Sequence, residues 1–294
     1  MTEQERFTVV GIRQEERSQP QEKGWRNLPW VSLALLCVIL LGCLGAGIIS
    51  SKEPSYLDLA NCAHPPDGAF FFGTDTLGRD IFSCIWHGGR VSLSVGLLSA
   101  MASTLIALAY GSLSGLAPAW LDALLMRAVE LFLSVPSLLV VLFLQALLGG
   151  ANVLSLSLVI GATGWCPMAK VIRTQVGQLR SSEHVLAAKC MGGGFLHILR
   201  WHLAPNFLPS ILFMVVMSVR SAMVTESTLS FLGMGLPLEV ISWGSMLSLA
   251  ENAFMSQAWW VVVIPGGFLV TLLMCVTSLG NWLQERLERK ARNL

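Results

Sequence analysis

The sequence predicts an all-α membrane protein with about six transmembrane helices, on three observations. Of its 294 residues, 54% are hydrophobic and 13% charged, against about 25% charged in ordinary soluble domains. The mean hydropathy of +0.65 leaves too little polar surface to cover a soluble fold. The apolar residues also gather in six runs, near residues 28–49, 91–116, 123–148, 153–169, 207–232 and 258–283, and a bilayer core asks for about 20 residues per helix. This composition argues against an extracellular enzyme, a disordered scaffold or a coiled coil. A net charge of +1 gives no electrostatic footprint for nucleic acid.

Taken in order, residues 1–27 form a polar tail carrying Arg6, Arg13, Arg17, Lys23 and Arg26. Residues 28–50 are the first transmembrane helix. They follow a long polar stretch and lack a clean cleavage site, which argues against a signal peptide. Leu40-Leu41-Gly42-Cys43 touches a lipoprotein pattern, but the apolar run continues past it. Residues 51–90 form a loop, and residues 91–284 hold the remaining helices. In the second run Gly111 and Gly115 are spaced as a GxxxG, either a close-packing face or a chance pairing in a glycine-rich chain. Arg127 and Glu130, three apart on one helical face, are expected to pair with each other. The fourth run is the shortest. Residues 285–294 form a basic tail.

Basic residues set the orientation. They concentrate in the N-terminal tail, in residues 170–206 (Lys170, Arg173, Arg180, Lys189, Arg200) and in the C-terminal tail, whereas 149–152 and 233–257 have none. With six spans, both termini and the 170–206 loop fall in the cytoplasm and the 51–90 loop falls outside.

The 170–206 segment is the most informative. Helix formers run to Met191, Gly192-Gly193-Gly194 breaks the helix, and Phe195, Leu196, Ile198, Leu199 and Leu203 resume helical spacing. Pro205 is expected to end this second short helix. Small Ala187 and Ala188 permit close approach by another protein, which would cover the apolar face; the other reading is an interfacial helix on lipid headgroups. No Gly-x-x-x-x-Gly-Lys-[Ser/Thr] occurs, so the chain has no phosphate-binding loop of that kind.

Two charges fall within the fifth run. Arg220 lies about 20 Å from its inner end by helix rise, so it must face the bundle interior or a water-filled path. It either meets an anionic group through its bidentate fork, pairs with Glu130 or another subunit, or snorkels to the interface. Glu226, about 240° further around the helix, either lines the path or clamps the Gly233–Gly235 turn. In the 51–90 loop, Gly73-Thr74-Asp75 and Gly78-Arg79-Asp80 are expected to make a tight hydrogen-bonded turn, with Asp75 and Asp80 paired to Arg79 or Arg90. Cys62, His64, Cys84 and His87 match no standard metal spacing. They remain readable as a soft-metal site, as a Cys62–Cys84 disulfide, or as unrelated loop residues.

Ala187-Ala188, then Gly192, then His202-Leu203-Ala204-Pro205-Asn206 resembles the "EAA" loop of bacterial ABC-importer permeases. Leu186 stands where the general pattern has Glu, and Glu183 fits the Glu of the subfamily. Phe72-Gly73-Thr74-Asp75-Thr76-Leu77-Gly78-Arg79-Asp80-Ile81-Phe82-Ser83, followed by Gly89-Arg90-Val91-Ser92-Leu93, resembles the segment before the core of the second ("C") membrane subunit in dipeptide, oligopeptide and nickel importers. Thr225-Glu226-Ser227-Thr228-Leu229-Ser230-Phe231-Leu232-Gly233, Ser242-Trp243-Gly244-Ser245-Met246-Leu247, Trp259-Trp260 and Pro265-Gly266 complete the match, which covers about residues 28–285. Ala204 and Gly280-Asn281 depart from the usual Leu and Gly-Asp.

The resemblance implies a type I binding-protein-dependent importer fold and a transport subunit without enzymatic activity of its own. It implies a second homologous permease subunit, two cytoplasmic ABC ATPases, a solute-binding protein on the outer face, and a bacterial inner-membrane location. ATP and Mg would sit on the ATPases, with no cofactor or metal held by this chain. Glu183, Ala187, Ala188, Gly192, Gly193, His202 and Pro205 become the ATPase-coupling residues. Arg220 and Glu226 become translocation-path candidates, and Gly73, Thr74, Asp75, Gly78, Arg79 and Asp80 the outer motif. The implied cargo is a peptide, nickel or a metal–metallophore complex. The competing class is a stand-alone secondary transporter or channel, which predicts paired Gly/Pro-broken segments in two inverted halves; the sequence does not display them.

Overall fold

A stripe of small residues decides which helix lies at the centre. In the computed structural model, which describes residues 29–50, 52–149, 152–180, 204–237 and 239–292, helix α3 (Ile81–Leu116) buries Gly88, Ser92, Gly96, Ser99, Ser103, Ala107 and Gly111. Spacings of three and four put these residues on one side of the helix, where small side chains let neighbouring backbones come close. Cβ atoms built at Gly111 and Gly115 would lie 2.6 Å from the Ala169 carbonyl and 2.9 Å from the Arg173 carbonyl. The GxxxG is therefore a packing face, and its partner is the helix α7 (Cys166–Arg180) of the same chain.

The other helices are α1 (Trp30–Leu44), α2 (Ala46–Ile49), α4 (Ala119–Leu133), α5 (Ser137–Leu148), α6 (Val153–Gly164), α8 (Ala204–Phe231), α9 (Trp243–Leu247), α10 (Ala250–Met255) and α11 (Trp260–Arg292). Helices α6 and α7 run parallel to α3, because Gly161 meets Ser99 while Gly111 and Gly115 meet α7. Helix α8 runs antiparallel to α3, with Gly96 against Val219 and Met223. Helix α11 is antiparallel to α8, with Gly280 against Val216 and Phe213. One end of the bundle thus carries residues 52–80 and 232–258, here called the motif end. The end of α7, the start of α8 and the end of α11 lie at the opposite end.

Three apolar clusters hold this arrangement. Ile81, Ile85, Trp243, Trp260 and Leu272 pack near the motif end. Ala107, Met168, Ile172, Val176 and Ile211 pack near the other. Val141, Leu156, Ile160 and Leu229 join α5, α6 and α8. Long apolar side chains also cover the outside: Val31, Leu35, Val38 and Leu41 on α1, and Leu139, Phe143 and Leu147 on α5, are exposed. Their i, i+3/i+4 spacing gives apolar stripes that suit lipid or a second membrane subunit.

The expected helix boundaries shift in several places. Helix α3 begins at Ile81, ten residues before the expected run, because Asp80 caps it: its carboxylate accepts from the Ser83 amide at 3.0 Å and the Ser83 hydroxyl at 2.6 Å. The third run is two helices bent by 85° around Ser134-Val135-Pro136, and the fourth is two helices bent by 47° at Trp165. Pro136 and Pro167 lie at these breaks, where proline's missing N–H is tolerated. The residue expected to end a helix, Pro205, instead lies in the first turn of α8. The last run continues as helix through the basic tail to Arg292. Among the described residues, three helices are long and apolar enough to cross a membrane, or five if each bent pair is one span, and α1 is a shorter apolar helix of 15 residues. Each of the six expected apolar runs is helical, the first as α1 and α2 and the third and fourth as bent pairs.

The packing face makes a direct prediction. Gly111→Leu drives a side chain into the α7 backbone and should cost about 1–3 kcal/mol by overpacking, read as a lowered unfolding midpoint in detergent. Gly267→Ala, where a Cβ meets nothing within 4 Å, should leave the midpoint unchanged or slightly raised.

Candidate functional site

Three features converge along α8: a knotted loop at the motif end, a buried carboxyl beneath it, and a hydroxyl-lined cavity deeper in the bundle.

The loop is built on two left-handed glycines, Gly73 (φ 74°) and Gly78 (φ 79°), a conformation that costs other residues but not glycine. A Cβ at Gly78 would overlap the Asp58 carbonyl. Between them Asp75 acts as the hub. Its Oδ1 accepts from the amides of Leu77 and Arg79, both at 2.8 Å, and its Oδ2 takes the Arg79 Nε at 2.7 Å. Both side chains of this ion pair are 5% exposed. The Thr74 hydroxyl accepts from the His64 amide and donates to the Asn61 carbonyl. The Trp260 indole donates to the Thr74 carbonyl at 3.1 Å, fastening the loop to α11. The expected turn is therefore present, with Asp75 paired to Arg79. Asp80 serves as a helix cap instead of an ion-pair partner. Arg90 is spent elsewhere: it donates to the Cys43 and Leu44 carbonyls and so closes the C-terminal end of α1. Nearby, the backbone amides of Phe70 and Ala69 hold the exposed Asp67 carboxyl below the usual carboxylate range.

Cys62 and Cys84 are free thiols. The Cys62 sulfur lies near the Leu59 carbonyl, Cys84 is buried with its sulfur near the Pro54 carbonyl, and His87 contacts the Ser83 carbonyl. Among the described residues no three His, Cys, Asp or Glu side chains gather as a metal site.

Glu226 lies fully buried in α8. Four serine hydroxyls point at its two oxygens: Ser242 at 2.7 Å and Ser230 at 3.0 Å on Oε1, Ser227 at 3.3 Å and Ser92 at 3.4 Å on Oε2. Three of those hydroxyls also accept a backbone N–H, from Ser245 to Ser242, from Trp243 to Ser92 and from Leu236 to Ser230. Glu226 therefore ties α9 and the Gly235 turn to α8 through Ser242 and Ser230. The approach requires Gly244, where a Cβ would lie 2.7 Å from the Ser227 Cα and 3.0 Å from Glu226 Oε1. Sequence reading separated the Thr225–Gly235 and Ser242–Leu247 stretches. The structure joins them. The signal available was the serine at each of positions 227, 230 and 242 beside one carboxylate.

Deeper along α8, a cavity of about 240 Å³ opens between α3, α5, α6, α7 and α8. Met214, Met217, Ser218, Ser221, Ala222 and Thr225 line it from α8, with the 3–4 spacing of a single helix face. Both helix breaks border it, through Ser137 at the start of α5 and through Gly164 and Pro167 around Trp165. Irregular backbone within a bilayer is tolerated where it is enclosed by protein or lines a cavity. Beside this face Arg220, Ser221, Val224 and Thr228 are exposed. The Arg220 guanidinium reaches the Thr277 hydroxyl of α11 at 3.4 Å. Glu130 is not its partner, being bonded to Arg127 at 2.9 Å. Sequence reading found Arg220 but not the hydroxyl and thioether face next to it, because serine and methionine in an apolar helix carry no signal of their own.

Of the expected coupling residues, Glu183, Ala187, Ala188, Gly192, Gly193 and His202 lie outside the described residues. Their flanks are fixed. On one side Arg173 of α7 bonds Asp122 at the start of α4, where the Ser114 hydroxyl also donates at 2.6 Å. On the other side α8 begins at Ala204.

Residues 107–293 match the family described as the inner membrane component of binding-protein-dependent transport systems. The chain is 34% identical to the dipeptide transport system permease protein DppC of Bacillus subtilis, over 92% of this chain and 86% of that protein. It is 35% identical to the oligopeptide transport system permease protein OppC of the same organism, over 90% and 87%. It is 34% identical to a putative peptide permease protein of Brucella suis, over 88% and 86%.

The ion pair in the loop can be tested by removing one side of it. Arg79→Ala leaves Asp75 buried without its counter-charge and should cost about 3–5 kcal/mol, seen as earlier unfolding and faster proteolysis between residues 52 and 80. The double variant Asp75→Ala/Arg79→Ala should cost less than the sum of the two single variants.

Proposed function

The chain belongs to the inner-membrane-component family of binding-protein-dependent transport systems, and from that premise we propose that it forms half of the translocation path of an ATP-driven peptide importer. The cargo class follows the relatives, which carry dipeptide, oligopeptide and peptide names. In this reading the chain pairs with a second homologous permease subunit and takes cargo from a solute-binding protein at the motif end. Two cytoplasmic ATPases bind ATP and Mg and press on residues 181–203. The chain itself performs no hydrolysis. Both termini and residues 181–203 then face the cytoplasm, and the Gly73–Asp80 loop faces outward. The fold supports this sidedness, since the ends of α7 and α11 and the start of α8 share the end of the bundle opposite that loop.

The single observation that carries the proposal is the polar face of α8. Arg220, Ser221 and Thr228 are exposed on a helix whose mean hydropathy otherwise suits a membrane span. An arginine facing lipid at mid-helix costs at least about 2.5–3.5 kcal/mol. Among the described residues the Arg220 side chain meets only the neutral Thr277 hydroxyl of α11, so the face is better covered by a water-filled path shared with a second subunit. ATPase closure then rocks the two membrane halves and exposes this path to alternate sides. A peptide's C-terminal carboxylate suits the bidentate fork of a guanidinium.

Arg220→Gln should assemble with its partner subunits and keep binding-protein-stimulated ATP hydrolysis while losing most peptide uptake in reconstituted vesicles. Unimpaired uptake would remove Arg220 from the path. Loss of assembly would assign it to the subunit interface.

A further inference from the structure

The cavity beside the α8 polar face has a chemistry of its own. Its lining presents hydroxyls from Ser103, Ser137, Thr163, Ser218, Ser221 and Thr225. Ser103 is committed to the Gly161 carbonyl at 2.7 Å, and the threonines donate to carbonyls of their own helices. The side-chain hydroxyls of Ser137, Ser218 and Ser221 show no protein hydrogen-bond partner among the described residues, so they retain donors and acceptors for something that enters. Between the hydroxyls lie the flexible thioethers of Met168, Met214 and Met217, side chains that adapt to varied apolar shapes. Among the described residues the lining contains no ionisable group. The space is about 240 Å³ and open on the side of the exposed Ser221, so it can take part of a larger ligand while the rest stays outside.

Resting on the peptide-importer reading above, we propose that this cavity is a side-chain receptacle on the translocation path. It takes one uncharged side chain of the passing peptide among the methionines, while Ser218 and Ser221 hydrogen-bond the neighbouring amide groups. A charged side chain gains nothing there, because it sheds water without meeting a counter-charge. The adaptable methionines and rotating hydroxyls make the receptacle tolerant of shape, so it favours bulky neutral residues as a class over any one of them. Its place at both helix breaks couples it to the motion: straightening either bend changes the volume and expels the occupant.

The test uses the assembled importer with its binding protein in vesicles and compares uptake of di-phenylalanine with uptake of di-alanine. Ser218→Leu shrinks the cavity and should lower the Phe/Ala uptake ratio about tenfold, in the range expected when an apolar pocket loses space for a methylene or more. Met214→Ala enlarges it and should raise the ratio. Each ratio is taken within one variant, so a uniform drop in assembly cancels. An unchanged ratio in both variants overturns the receptacle while leaving peptide import intact. A wild-type importer that takes up neither these dipeptides nor longer neutral peptides overturns the peptide reading itself, and this inference with it.

Discussion

Much of the motif end depends on one buried carboxyl. Glu226 collects the hydroxyls of Ser92, Ser227, Ser230 and Ser242, and three of these serines pass the bond on to backbone amides of Leu236, Trp243 and Ser245. A helix that must leave the membrane, turn and form the short α9 exposes backbone polar groups that apolar surroundings cannot satisfy. Glu226 and its serines satisfy them. Those three serines work twice, as acceptors from the backbone and as donors to the carboxyl, so the network ties α3, α8 and α9 through one side chain. Trp243 then seals the site: it is fully buried and its indole donates to the Ile85 carbonyl at 2.8 Å. The Gly73–Asp80 loop rests on the same platform through Trp260 and Thr74.

The second constraint is close helix contact. In lipid, helices gain little from hiding apolar surface, so packing distance and hydrogen bonds decide association. The small-residue side of α3 sets that distance for α6, α7 and α8 together. Because α3 is held so tightly, the adaptable parts of the chain are elsewhere, at the 85° and 47° breaks. The cavity lies between those two breaks.

Part of this was legible in the sequence. The apolar runs located the helical regions because 20-residue hydrophobicity is a strong signal. The turn at Gly73–Asp80 was readable because glycine and aspartate at fixed spacing have few alternatives, whereas the GxxxG of Gly111 and Gly115 stayed open until α7 was seen against it. The helix breaks were not: Pro136 and Pro167 interrupt runs that stay apolar throughout, and hydropathy does not sense a bend. The early start of α3 was hidden because the Asp80 cap lies within a stretch read as a loop. Glu226 was visible as an expensive charge, but its four partners are spread over residues 92–242 and meet only in three dimensions. Arg220 invited pairing with Glu130, which local spacing had already given to Arg127.

The most direct test of the clamp is amide hydrogen exchange on the purified chain, comparing wild type with Glu226→Leu. The account predicts that exchange speeds up at Leu236, Trp243 and Ser245, whose amides end on serines held by Glu226, while the α6 and α7 amides keep their protection. Unchanged exchange at those three positions would contradict it and show that α9 is held in place without the carboxyl.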